Sequence, residues 1–202
     1  SDKGLIQIFI SNHPYAVVWG NGLSAGIVSQ RRQIQELPWD LQDFKSQILR
    51  AKQQGVRNFI LCLSPGQNGK FGTQMHQLNF VVPVFGCNLL EATIDIKHSP
   101  EALEGAIISG TQVNTNFVEQ YKKVAGVTDH VMTAAVHYDA VQALLLATKK
   151  SASIALIDRL LSLGEFNGAH QSVKITSSSG DQFFDFPFAL YSVHNSELQI
   201  YK

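Results

Sequence analysis

Two short apolar runs with a helical stretch between them constrain this chain more than any other feature. NFILCLS (58–64) and VVPVFG (81–86) have the length and composition of strands buried on both faces, and residues 70–78 between them read as a helix. Strand, helix, strand in that order needs a right-handed crossover, which sets the two strands parallel in one sheet. The expected class is therefore α/β, an open and mostly parallel sheet flanked by helices. Ligands in such sheets sit at the carboxyl ends of the strands. The loop after VVPVFG, with Cys87, Asn88 and Glu91, lies on that edge.

The rest of the chain extends this pattern. LIQIFIS (5–11) reads as a strand, broken by SNHPY. AVVWGNGLSAGIVSQRR favours strand in its first half and a glycine-weakened helix in its second. A helix is expected over 41–53, with Leu41, Phe44, Ile48 and Ala51 on one stripe, Asp40 as N-cap and Gly55 beyond its end. EGAIIS (104–109) is a further strand, followed by helices over 116–124, 132–148 and 154–163. The middle one is apolar around much of its circumference and is expected to be the most buried. SVKITSS, QFFDF and FALYSVHNSELQIYK read as strands, with turns at 179–181 and 194–196.

Composition excludes several classes. Sixteen basic residues balance sixteen acidic ones, with no basic run, so there is no electrostatic footprint for nucleic acid or an anionic membrane. Apolar stretches are interrupted short of the ~20 residues a membrane helix needs. The opening SDKGLIQ lacks the basic region and apolar core of a signal peptide, which reads as a mature chain from which one has been removed. Cys62 and Cys87 each end a strand and are read as two separate buried thiols, because free cysteine packs as a small apolar residue. A disulfide would require Cα atoms within about 7 Å.

Motifs for catalysis and metal binding are sparse. His130 and His137 share a helix face at best and have no third ligand nearby, so no metal and no cofactor is expected. SPGQNGK (64–70) lacks the spacing of a phosphate loop and its Ser/Thr after lysine. The phenylalanines at 183, 184, 186 and 188 read as packing. Gly22-Leu23-Ser24-Ala25-Gly26 matches the G-x-S-x-G elbow of serine hydrolases, and Asp139 or Asp158 with His170 or His194 would complete the chain order Ser, Asp, His. That fold places several strands before its nucleophile, whereas at most two precede Ser24. The expectation is a binder and not an enzyme.

The ordered motifs resemble the second half of a type I solute-binding protein, nearest to the branched-chain amino-acid-binding group of ABC importers. Tyr138-Asp139-Ala140 matches the Y-D-A that opens a long helix. Phe166-Asn167-Gly168 begins an F-x-G-x-x-G segment with Ala169-His170 where a second glycine is expected, and Gly180-Asp181 matches a G-D turn. IFISNHPYAVVWGNGLSAGI is similar to the group's first strand and S-G-P-Y-A-x-x-G loop. The resemblance implies a two-lobed fold with its first lobe incomplete, residues 1–30 and 111–185 resembling first-lobe pieces and 33–110 and 186–202 second-lobe pieces. It further implies an amino acid or related small carboxylate bound in an interlobe cleft, delivery to an ABC transporter permease, and a periplasmic or extracytoplasmic location. Positions matching ligand contacts are Asn12, His13 and Tyr15, then Ser64 to Gln67, then Asn88, where many relatives carry an acidic residue; Glu91 is a substitute for that charge. The alternative is a shortened sensor or interaction module that associates with itself.

Overall fold

A computed structural model describes residues 4–26, 32–88, 93–178 and 181–201. The expected site residue Glu91 and most of the expected 179–181 turn lie outside the described residues. The chain divides into two compact units, residues 1–109 with 190–202 and residues 110–189.

Unit 1 is built on a seven-stranded sheet in the order β10-β9-β5-β4-β3-β1-β2. Its strands are β1 (Leu5–Ser11), β2 (Arg32–Leu37), β3 (Val56–Cys62), β4 (Val84–Gly86), β5 (Ile107–Thr111), β9 (Phe188–His194) and β10 (Glu197–Ile200). The first five run parallel, as the crossover argument requires, and β9 and β10 form an antiparallel hairpin. Its turn takes left-handed φ at Asn195 (51°) and Ser196 (63°), the backbone that matches the twist of a two-residue hairpin.

Alternation along β1 sorts the core. Phe9 joins Phe59 and Leu61 of β3 on one face, beneath α2 (Lys45–Gln53) and α3 (Gln67–Gln77). There Phe71 meets Phe59 edge-on at 4.9 Å between ring centroids. Ile8 and Ile10 face the other way, against Ala16, Trp19 and Leu23 of α1 (Pro14–Gly26). α4 (Thr93–His98) and α5 (Pro100–Leu103) lie between β4 and β5 in the chain.

Unit 2 holds α6 (Thr115–Ala125), α7 (Val131–Thr148), α8 (Leu156–Leu161) and a three-stranded antiparallel sheet of β6 (Glu165–Phe166), β7 (Val173–Ser178) and β8 (Asp181–Asp185). Ala143, Phe166 and Val173 centre its core, with Leu160, Ile175 and Phe184 packed around them.

Several expectations need correction. Residues 1–30 do not group with 111–185: β1 hydrogen-bonds to β2 and β3, so the described part of that segment is integral to unit 1. α2 begins at Lys45 and not at Leu41, because the Phe44 amide donates to Gln74 Oε1 (2.6 Å), a cap brought from α3. Residues 14–26 are helical throughout. Cys62 and Cys87 are not separate thiols but a disulfide with Cα atoms 5.3 Å apart, since parallel pairing of β3 with β4 brings the two strand ends together. α7 is not the most buried helix. Met132, Ala135, Asp139, Ala143 and Ala147 are buried, whereas Val141 and Leu145 are 54% and 52% exposed. By length and composition alone, α7 is also long and apolar enough to cross a membrane.

Candidate ligand-binding rim

The sheet order places the chain's reversal point between β1 and β3. From β1 the chain passes to β2 on one side, then returns across to β3 on the other, and such a switch opens a crevice at the carboxyl edge. Three loops meet there, after β1, β3 and β4.

The β1 loop is tied down first. Asn12 accepts at Oδ1 from the Trp39 amide (2.8 Å) and donates its own amide to Leu37 O (2.8 Å), clamping the ends of β1 and β2 together. His13 is exposed and accepts at Nδ1 from the Tyr15 amide (3.3 Å). Tyr15, 43% exposed at the start of α1, donates its hydroxyl to Asn88 Oδ1 at 2.5 Å. Asn88 directly follows Cys87, so the disulfide anchors the β4 loop to the end of β3 beneath this contact. Tyr15 and Asn88, 73 positions apart, are thus brought together at the switch point.

The β3 loop is built differently from expectation. Ser64 is half-buried and its amide donates to Gln67 Oε1 (2.9 Å). Gln67 is buried, and its Nε2 donates to Pro38 O (3.2 Å) and Leu41 O (2.8 Å). Every polar group of that amide holds the loops together, so Gln67 is a brace and not an open ligand contact.

Gly66 precedes α3 in the left-handed region (φ 88°). The amides of Gly66 (2.9 Å) and Gly69 (2.6 Å) donate to the carboxylate of Asp95, which is fully buried. An internal carboxylate therefore occupies the α3 amino terminus. Burial pushes the Asp95 carboxyl above its ordinary range, outweighing the two backbone donors and the Asn68 amide that favour its charged form. Neither spacing nor periodicity pointed to Asp95. An acidic residue flanked by Ile94 and Ile96 was the available signal.

The parts proposed for a hydrolase are placed elsewhere. Ser24 lies within α1 rather than on a strand-to-helix turn, so no nucleophile elbow exists there. Asp139 and His170 do meet, at 2.6 Å and fully buried, but the second ring nitrogen of His170 pairs with Thr111 Oγ1 (2.8 Å). Asp139 also accepts from the Ala169 amide (2.6 Å). The cluster locks the 168–170 turn onto α7. His194 pairs instead with Glu104 in unit 1. No group of three metal-ligating side chains occurs among the described residues.

No protein-family model matches the chain, and no curated protein matches it. Solved structures do. A leucine-binding protein from Thermotoga maritima aligns over 98% of this chain and 59% of its own, with TM-score 0.83 and 20% identity. A type 1 periplasmic binding protein from Bordetella pertussis Tohama I aligns over 98% and 61% (TM-score 0.82, 15% identity). An ABC-transporter solute-binding protein from R. palustris, in complex with benzoate, aligns over 98% and 57% (TM-score 0.72, 15% identity). The chain spans about three fifths of the length of these structures. Alignment over nearly all of its residues shows that this chain has the type I periplasmic-binding-protein fold.

Proposed function

We propose that the protein binds a small solute, an amino acid or a related small carboxylate, at the carboxyl rim of the unit 1 sheet. It transforms no bond of that solute. The observation that carries the reading is the meeting of the Tyr15 hydroxyl and the Asn88 carboxamide at the β1/β3 switch point. Both groups can donate and accept hydrogen bonds, the pairing a small polar guest can exchange for its own contacts. The names of the similar structures support the ligand class and, as part of the proposal, delivery to an ABC importer's permease. The Cys62–Cys87 disulfide supports an extracytoplasmic setting, since such bonds persist where thiols are not kept reduced.

Thermal denaturation against a panel of amino acids and small carboxylates tests the reading. A ligand at 100 times its Kd raises native stability by about 2.7 kcal/mol, readily seen as a higher Tm. A panel that leaves Tm unmoved, or a hit whose affinity ignores Tyr15→Phe and Asn88→Ala together, removes this rim as the site. A second reading, a self-associating module, is favoured by the exposed apolar residues Val141, Leu144 and Leu145 on α7. Concentration-dependent mass by light scattering, with no ligand response, would support it.

A further inference from the structure

Unit 2 carries a concavity that the rim does not explain. It has a volume of about 480 Å³ and lies between α6, α7 and the 168–169 turn. That size falls within the range of small-molecule sites.

Its floor is aromatic. Phe117 stacks on Tyr121 (6.2 Å between centroids, 18° between planes) and tilts against Tyr138 (5.1 Å, 57°). α6 is amphipathic yet has no buried residue, because its apolar stripe of Phe117, Tyr121 and Val124 lines the concavity instead of a core. Val124 is 90% exposed.

The walls are braced independently of any guest. Asn114 accepts from the Phe117 amide (2.8 Å) and donates to Gly168 O (2.8 Å), fixing the start of α6 to the turn. Asp139 fixes the same turn to α7 through Ala169 and His170. A cavity held open this way is preformed, and Phe117, Tyr121 and Tyr138 line it.

The lining fixes the chemistry of an occupant. Around the rings lie the exposed carboxamides of Asn116 and Gln120 and the hydroxyl of the 45% exposed Tyr138, with no charged side chain among the lining residues. Carboxamides and a hydroxyl donate and accept without net charge. An anion seated on these rings would lose hydration against their electronegative faces with no counter-charge in return. We propose that the α6/α7 groove is a second binding site, for an uncharged small molecule with one flat ring face and an amide- or hydroxyl-bearing edge. An aryl amide and a pyranose share that chemistry.

Amide-resolved NMR of the full chain tests this, with benzamide, benzoate and a methyl glucopyranoside as probes. Benzamide or the glycoside should shift the amides of Phe117, Gln120 and Ala169, with Kd on the order of 1 mM, and whichever binds names the source. Benzamide should bind at least about tenfold tighter than benzoate if it is the ligand type. Tyr138→Ala should weaken binding about tenfold through the lost ring face, and Gln120→Ala a few-fold. Gln120 is exposed on the helix surface, so that variant carries the test should Tyr138→Ala unfold. Asn88→Ala, in unit 1, should leave the shifts unaltered. Silence of these amides toward all probes up to about 5 mM, equal affinity for benzoate and benzamide, or shifts indifferent to both unit 2 variants would overturn the proposal.

Discussion

Opening the Cys62–Cys87 bond should loosen unit 1 by an amount that follows from the chain alone. The cysteines are 25 positions apart, and closing a loop of that size in the unfolded chain removes entropy worth roughly 3.5 kcal/mol at 25 °C. Both sulfurs are fully buried beside Ile8 and Ile10, so reductant should be applied to unfolded protein before refolding. Trp19 and Trp39 are the chain's only tryptophans and both lie in unit 1, so their fluorescence follows this unit without interference from unit 2. With an m-value of about 2 kcal/mol/M in urea, the midpoint should fall by roughly 1.7 M in the reduced protein. The Cys62→Ala/Cys87→Ala variant should show at least that loss, since it also removes buried sulfur. Coincident midpoints for oxidised and reduced protein, or two titratable thiols in unfolded, unreduced protein, would refute the reasoning.

Other perturbations have equally definite outcomes. Asn88→Ala should weaken the proposed solute about tenfold, about 1.4 kcal/mol by calorimetry, while the Tm of the free protein barely moves, because the hydrogen bond it removes is exposed. The folded carboxyl of Asp95 titrates above its unfolded value of 3.8, so its stabilising contribution is full below that value and is lost as pH rises through the folded pKa; unfolding free energy against pH should show this fall, and its slope should differ in Asp95→Asn. Gly168→Ala should unfold or severely weaken unit 2, read by circular dichroism, since the added Cβ would enter the space of Asp139 Oδ1. Gln171 holds a left-handed φ of 67°, and Gln171→Gly should stabilise unit 2 by up to about 1 kcal/mol; a neutral or lower midpoint would show that the side chain compensates the strain.

Much of the architecture was legible along the chain. Helix α6 was expected over 116–124 and spans Thr115–Ala125, because Asn114 caps it locally and Gly126 ends it in left-handed backbone. The strands of LIQIFIS and NFILCLS were readable because their apolar runs mark burial on both faces. The rim was legible in part. Asn12, His13, Tyr15, Ser64 and Asn88 do occupy loops at one sheet edge, but Gln67 could be recognised as a brace only once Pro38 and Leu41 were known to lie beside it. Asp139 and His170 looked like catalytic candidates because residue type says nothing of access to a substrate. Burial and saturation with internal partners make them a lock.

The sequence by itself determined most of the order of strands and helices, though not β2, α4, α5 or β6, and the parallel direction of β3 and β4, because periodicity, caps and crossover handedness act over a few residues or one connection. Tertiary structure alone decided which strands became neighbours, that two cysteines would be joined, that Gln74 would cap a helix 30 positions away, and which side of α7 would be covered. Those outcomes depend on contacts between segments far apart in the chain, where burial and hydrogen-bond satisfaction select the partner and local propensity carries no information about it.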